Sequence, residues 1–249
     1  MGLLSNIGDS IESEAKSAFK DVKDAVNGFF KWPEKTTATF EGAGLRAVIR
    51  VPEEYVAFNS ESKFDIDKIS KPTDPLQPFG GIFFPYTPTI SVDNKAEYAQ
   101  QSPLHSNFNQ YFYKNSSVGP IQISGKFTVQ DENDGAVLLA TIHLLRALTK
   151  MRFGADPQAG APPPVCRFSA YGDGMFSNVP VSVASWKHEL PDNVDYITVQ
   201  KWQKIYGISA VPVLSTITID LNVIYSRQEM LRFGIPAWLN GKAKGNGFI

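Results

Sequence analysis

The chain has few of the residues on which catalysis, metal binding and disulfide cross-linking depend. Its 249 residues include one cysteine and three histidines. The single cysteine, Cys166, excludes a disulfide within the chain, and its neighbours favour a strand over a metal-binding knuckle. His105, His143 and His188 are far apart in sequence and lack metal-ligand spacing. We therefore expect no catalytic residue, no cofactor and no metal.

The chain also has no large excess of positive or of negative charge. The 24 lysines and arginines nearly balance the 25 aspartates and glutamates, for a formal net charge of -1. This balance argues against tight duplex binding, which depends on a broad basic surface. No run approaches the roughly 20 apolar residues of a bilayer span, and the first residues do not have the pattern of a secretory leader. We expect a protein that is made in the cytoplasm and does not span a membrane.

Two acidic pairs and one glycine turn are the nearest approach to catalytic motifs. Glu53 with Glu54, and Asp65 with Asp67, lie beside polar loops, which favours solvated charge over an acid–base pair. The segment 172–174, Gly-Asp-Gly, lies between two predicted strands and is more typical of a hairpin turn than of a phosphate cradle. These features do not predict an enzyme.

An aromatic cluster occurs in the middle of the chain. Phe108, Tyr111, Phe112 and Tyr113 are followed by Lys114. Such rings can stack on nucleic-acid bases. Because only one lysine accompanies four rings, we favour a role in the core or in a seam between subunits.

Residues 1–33 are predicted to form an N-terminal amphipathic helical arm. Apolar residues recur there at steps of three or four, while the opposite face balances lysines with acids. The arm either binds a partner or ring-mate, which we favour, or folds back on its own domain. The candidate partner-binding residues are Leu4, Ile7, Ile11, Phe19, Val22, Phe29, Phe30 and Trp32.

Residues 34–226 are predicted to be a β-domain with one flanking α-helix, so the fold class is mainly β. Strict alternation marks a strand from Ile121 to Val129. The carboxylates of residues 131–134 can cap a helix over about 134–152. The other predicted elements are a hairpin within 37–51, a surface loop at 59–81, an irregular edge at 82–92, and strands at 165–171, 175–187, 195–206 and 213–226. The C-terminal extension, 227–249, is glycine-rich near its end and is expected to be loose and mildly basic.

Several segments, taken in order, resemble the tail-tube-like baseplate proteins of contractile-tailed bacteriophages. The resemblance covers about residues 82–220. It is carried by residues 84–90, 102–107, 121–127, 144–154, 162–164, 178–181 and 190–196.

This resemblance implies two packed antiparallel sheets of tail-tube type and six copies closed into a ring. It further implies that the ring docks on baseplate hub proteins, initiates growth of the tail tube protein above, and lets DNA pass through the lumen without specific binding. The protein would belong to the virion, in the tail or baseplate, and would assemble in the host cytoplasm. Ring closure would also cover strand edges that a lone chain exposes.

Two alternatives remain open. The chain could form another tube-like ring of the tail, a tube or terminator ring. It could instead be a peripheral module that uses the amphipathic arm on a membrane and holds a ligand in the β-domain.

Overall fold

A computed structural model describes residues 46–58, 70–200, 207–241 and 247–249. These ranges all belong to one compact unit, Thr37–Ile249. They confirm a mainly β fold with antiparallel sheets and few helices. The predicted N-terminal arm, with all eight of its candidate partner-binding residues, lies outside the described residues, as do residues 37–45 of the predicted first hairpin.

Eleven strands and three α-helices occur in the described part of the chain. The strands are β1 Val48–Arg50, β2 Gly81–Phe83, β3 Thr89–Ser91, β4 Asn94–Gln101, β5 Gln110–Val118, β6 Ile121–Thr128, β7 Cys166–Ala170, β8 Phe176–Glu189, β9 Tyr196–Val199, β10 Ser209–Pro212 and β11 Leu214–Val223. The helices are α1 Glu132–Leu148, α2 Arg227–Arg232 and α3 Ile235–Leu239.

Seven strands form one antiparallel sheet in the order β2-β1-β7-β8-β11-β6-β3. The strands β9 and β10 form a separate pair, and β4 and β5 form another. The predicted irregular edge at 82–92 matches the outer strands β2 and β3, with Pro85 and Pro88 between them. Proline lacks a donor for the strand ladder, so this position at the sheet edges is expected.

The two ends of the large sheet approach each other through Phe84. This residue follows β2 at one end, and its ring lies 5.8 Å from that of Phe127 in β6, near the other end. The ring occupies the space where a side chain at Gly125 would stand. The missing Cβ of Gly125 therefore permits the sheet to curl around its core.

Helix α1 covers this core on one side and is the element that the sequence marks best. Its N-cap is Asp131, whose side chain accepts a hydrogen bond of 2.9 Å from the backbone of Asp134. The helix ends at Leu148, four residues earlier than predicted. A Cβ on Gly135 would lie only 2.5 Å from Val199 Cγ2, so a glycine is needed for α1 to approach β9 this closely.

One prediction about a loop was wrong. Residues 74–76, within the predicted surface loop, form a short 3-10 helix in which Leu76 is fully buried. In the described part of the C-terminal extension, Phe248 lies 5.0 Å from the Tyr225 ring and 5.2 Å from the Phe233 ring, whereas α2 and α3 bury no residue. Residues 242–246, which hold both lysines of the extension, lie outside the described residues, so the looseness predicted for the extension stays a prediction.

Candidate assembly surface

A hairpin formed by residues 94–118 is almost entirely exposed to solvent. It contains β4, the loop 102–109 and β5, paired from Asn94 with Val118 to Gln101 with Gln110. The strands β3 and β6 are paired at the edge of the large sheet, and the chain runs from β3 into β4 and from β5 into β6. At the base of the hairpin, the Gly119 amide donates a 2.6 Å hydrogen bond to the Asp93 carbonyl. The hairpin is therefore an extension of the sheet edge, outside the core.

Both strands of the hairpin present large aromatic side chains to solvent. Tyr98, Tyr111 and Tyr113 are 57%, 63% and 59% exposed. At the loop, Leu104 is 91% exposed and Phe108 is 81% exposed. This exposure excludes the core role for the cluster. The subunit seam that the sequence favoured and the less favoured stacking on nucleic-acid bases both stay predictions.

Three tyrosines share one side of the hairpin, which we call the tyrosine face. Tyr98 is paired with Tyr113 across the strands, and Tyr111 is two residues from Tyr113 on the same strand. The Tyr113 hydroxyl forms a 2.9 Å hydrogen bond with the Ser116 hydroxyl. A register shift between Glu97 and Tyr98 accompanies this arrangement. The face has no formal charge and several hydroxyl groups, as is common in protein interfaces.

The opposite side of the hairpin carries Phe112, paired with Ala99, and an ion pair of 3.5 Å between Lys95 and Glu97. The connecting loop is ordered by its own hydrogen bonds. Ser102 Oγ donates to Asn109 Oδ1 at 2.9 Å, and Ser106 Oγ both donates to the Phe108 carbonyl and accepts from its amide. Both sides of the hairpin and its loop are therefore held by hydrogen bonds and an ion pair, although their side chains are exposed to solvent.

Such a hairpin is expected to need a partner. A lone pair of strands is at best marginally stable in water, because it buries too little apolar surface. A contiguous exposed patch of aromatic side chains on a protein surface usually marks an interaction site. We therefore identify the hairpin as the candidate assembly surface.

The structure also places the residues that the sequence singled out for chemistry. Cys166 is fully buried in β7, as expected of a core thiol, and burial raises its pKa to about 12. Glu54 does not pair with Glu53 but with Arg152, at 2.8 Å. Asp65 and Asp67 lie outside the described residues.

The predicted hairpin turn at 172–174 is confirmed. It joins the antiparallel strands β7 and β8, and Gly172 has a φ of 84°, in the left-handed region that favours glycine. His105 lies in the exposed loop of the β4–β5 hairpin. His143 and His188 are 45 positions apart in sequence, yet they line one groove beside α1.

Neither a metal site nor a membrane span is found in the described residues. No group of three or more histidine, cysteine, aspartate or glutamate side chains there is arranged to hold a metal ion. No helix in the same residues is long and apolar enough to cross a membrane.

No known protein-family model matches the chain, and no curated protein is detectably similar to it. The hairpin and the other residues of this chain are therefore what indicates its function.

The strands of the hairpin have no recognisable pattern of alternating apolar and polar residues in the sequence. Residues 94–101 are mostly polar and small, so their alternation has no apolar component that would mark a strand. A usable signal was present in Tyr111 and Tyr113, which are two residues apart and point to the same side of a strand. The groove that unites His143 and His188 left no local signal, since only the fold brings the two together.

Proposed function

We propose that the chain is a non-enzymatic structural subunit of a contractile phage tail that self-assembles into a ring, most simply of six copies. The ring would lie at the junction of baseplate and tail tube, dock on hub proteins and initiate the tube. The observation that carries this proposal is the hairpin, an ordered aromatic extension of the sheet edge with no partner among the described residues.

The sheet architecture supports the same function. In the single seven-stranded antiparallel sheet, Phe84 after β2 meets Gly125 of β6, so the two ends of the sheet approach each other. The two packed sheets of tail-tube type that the resemblance implies are part of the proposal. The outer strands β2 and β3 are each paired on one side only within the described residues. Pairing or covering such edges between copies is a general reason for β-proteins to close into rings.

The energetics favour assembly through several contacts at once. Burying about 100 Å² on each of three tyrosines at about 25 cal/mol per Å² would contribute about 7.5 kcal/mol. Loss of translational and rotational freedom opposes association by about 4–15 kcal/mol. A single hairpin contact is therefore weak. In a closed ring, or on a template formed by the hub, each further contact forms between subunits that are already held together. The loss of translational and rotational entropy is therefore not repeated in full for each contact.

The charge balance agrees with a lumen that DNA passes. A net charge of -1 provides no general attraction for phosphates, and a channel that must release DNA cannot hold it tightly.

The proposal is tested by changing the tyrosine face. We expect the purified chain, at high concentration or with its hub and tube partners, to form six-fold particles with a central hole in negative-stain images. Tyr98→Ser, Tyr111→Ser and Tyr113→Ser together should abolish these particles while leaving the thermal midpoint of the domain unchanged. As a matched control, Tyr196→Ser changes a tyrosine of similar exposure (49%) away from the hairpin and should leave assembly intact.

Two outcomes would contradict the proposal. A wild-type chain that remains monomeric with hub and tube partners present does not form a ring. A triple variant that assembles normally would show that the hairpin is not the assembly surface.

A further inference from the structure

A groove of about 580 Å³ lies between α1, the end of β8 and β10, away from the hairpin. Helix α1 contributes Ile142, His143 and Arg146 to its lining. Trp186 and His188 come from β8, and Val211 comes from β10. The groove thus combines apolar walls with three basic side chains, those of His143, Arg146 and His188.

The local structure explains why these groups converge. His143 and Arg146 are three residues apart and therefore neighbours on one face of α1. Trp186 and His188 are two residues apart and lie on the same side of β8. Lys187 and Glu189 alternate to the other side, where they are exposed and form an ion pair of 2.7 Å with each other. They do not neutralise the groove.

The groove has a positive charge without a counter-ion in the described residues. Its described lining includes no aspartate or glutamate, and β10 contributes no ionisable side chain. The nearby Tyr196 of β9 donates its hydroxyl to the Pro191 carbonyl. Burial lowers the pKa of both His143 and His188, and the charge of Arg146 lowers each pKa further.

One polar atom in the groove is also unsatisfied. His188 Nε2 is buried and has no hydrogen-bond partner among the described residues. A buried polar atom without a partner is unfavourable, so a ligand group that reaches this nitrogen would be stabilised.

We propose that this groove binds a carboxylate group carried on an apolar body. Arg146 would supply the charge-assisted hydrogen bonds that guanidinium groups make with carboxylates, and His188 Nε2 would donate a further one. Ile142, Trp186 and Val211 would pack against the apolar part, in the usual pattern of a ligand site with apolar walls and few polar groups. The ligand is either a small amphipathic acid or an acidic side chain flanked by apolar residues on another protein.

The site should respond to pH in a defined direction. A bound carboxylate favours the protonated form of both imidazoles and so raises their pKa values. By linkage, the carboxylate must then bind more tightly as the pH falls through the histidine range. His105, in the exposed loop of the hairpin, should not take part.

Histidine resonances provide the readout. We would titrate the full chain with 4-phenylbutyrate, with the peptide acetyl-Leu-Glu-Leu-amide and with uncharged 4-phenylbutyramide at pH 6 and pH 8, and follow all three histidines by NMR. We expect at least one carboxylate probe to shift His143 and His188 but not His105, and to bind more tightly at pH 6. The amide should bind about tenfold more weakly or worse, the loss equivalent to one charge-assisted hydrogen bond.

Two variants distinguish a direct contact between Arg146 and the carboxylate from a general effect of the protein's positive charge. Arg146→Gln preserves helix propensity and should weaken carboxylate binding about tenfold. Lys187→Gln removes the same charge from the exposed side of β8 and should have no effect. Response to the acid alone identifies a small ligand, whereas response to the peptide alone identifies a protein side chain. The proposal is overturned if neither carboxylate probe binds, if the amide binds equally well, or if Arg146→Gln binds as the wild type does.

This site and the ring are tested independently. Loss of carboxylate binding in Arg146→Gln with normal ring assembly would support the groove without affecting the proposed function. Failure of the hairpin variants to disturb assembly would leave the groove result intact.

Discussion

The rings of Tyr98 and Tyr113 lie 5.8 Å apart at an interplanar angle of 71°, in edge-to-face contact across β4 and β5. These strands pair only with each other among the described residues. Edge-to-face pairs contribute about 0.5–1.5 kcal/mol beyond the area that they bury. The contact therefore restricts the side-chain conformations of the tyrosine face in the unbound subunit. This restriction lowers the entropic cost of binding a partner.

The first prediction concerns this pair in the free subunit. Tyr98→Ser with Tyr113→Ser should loosen the hairpin and speed thermolysin cleavage in the loop 102–109 about two- to tenfold, as expected for a local loss of about 0.5–1.5 kcal/mol. The thermal midpoint of the domain should not move, because both side chains lie outside the core. Tyr98→Phe with Tyr113→Phe retains the rings and should be cleaved at the wild-type rate. An equal rate in the serine variant would show that the pair does not stabilise the hairpin.

The second prediction concerns the closure of the sheet. Gly125→Ala introduces a methyl group into the space of the Phe84 ring and should lower the free energy of unfolding by about 1–3 kcal/mol. Phe84→Leu should recover part of that loss in the double variant, because the smaller side chain makes room. Urea unfolding of the two single variants and the double variant measures the coupling. Strict additivity would mean that the two positions do not compete for space.

The third prediction concerns the acid sensitivity of the C-terminal helices. Burial alone would raise the pKa of Glu229, but a hydrogen bond from the Ser226 amide to the carboxylate, a contact with the Ser226 side chain, and Arg167 at 3.6 Å lower the pKa below its ordinary value of 4.5. A lowered pKa means that the ionised group stabilises the fold above pH 4.5 and that this contribution is lost as the pH falls below it. Glu229→Gln should therefore lose less stability than the wild type between pH 6 and pH 3.

Amide hydrogen exchange in α2 measures this difference. The matched control is Glu189→Gln, which removes an exposed ion pair with Lys187 and should change little. If Glu229→Gln and the wild type lose protection in α2 in parallel, then Glu229 does not couple the helix to pH.

The fourth prediction concerns Cys166. Since burial raises its pKa to about 12, the reactive thiolate is scarce at pH 8 and the sulfur is also shielded from reagents. Ellman's reagent should label less than a tenth of the native protein in an hour at pH 8, and all of it in denaturant. Rapid labelling of the native chain would show that β7 opens readily.

The fifth prediction concerns the N-terminal arm and is based on sequence alone. Deletion of residues 1–30 should leave a folded β-domain that no longer joins the tail assembly, and Phe19→Asp with Val22→Asp in the full chain should reproduce the defect. Each buried apolar side chain would contribute about 1.5–3 kcal/mol to docking. Co-sedimentation with hub and tube proteins measures incorporation. Unfolding of the truncated domain would instead assign the arm to its own core, and unchanged incorporation would exclude it as the anchor.

Periodicity and capping residues predicted the elements that local chemistry controls. The alternation from Ile121 to Val129 predicted β6, because one side of that strand is buried and the other is polar. Asp131 and the carboxylates after it predicted the start of α1, since a helix end depends on the few residues that satisfy its free amides. The turn at 172–174 followed from glycine at a left-handed position. In each case the residues that determine the element lie within it or within a few residues of it in the sequence.

The contacts between segments that are far apart in the chain were decided by the tertiary structure alone. The sequence did not indicate the order of the seven strands, the meeting of Phe84 with Gly125 or the groove that His143 shares with His188, because each depends on which distant segments pack together. The hairpin was missed for a related reason: its strands are not buried, so no alternation of apolar and polar residues was required of them. The sequence by itself determined a mainly β chain with a capped helix; the packing of distant segments determined which side chains face solvent together and so where a partner can bind.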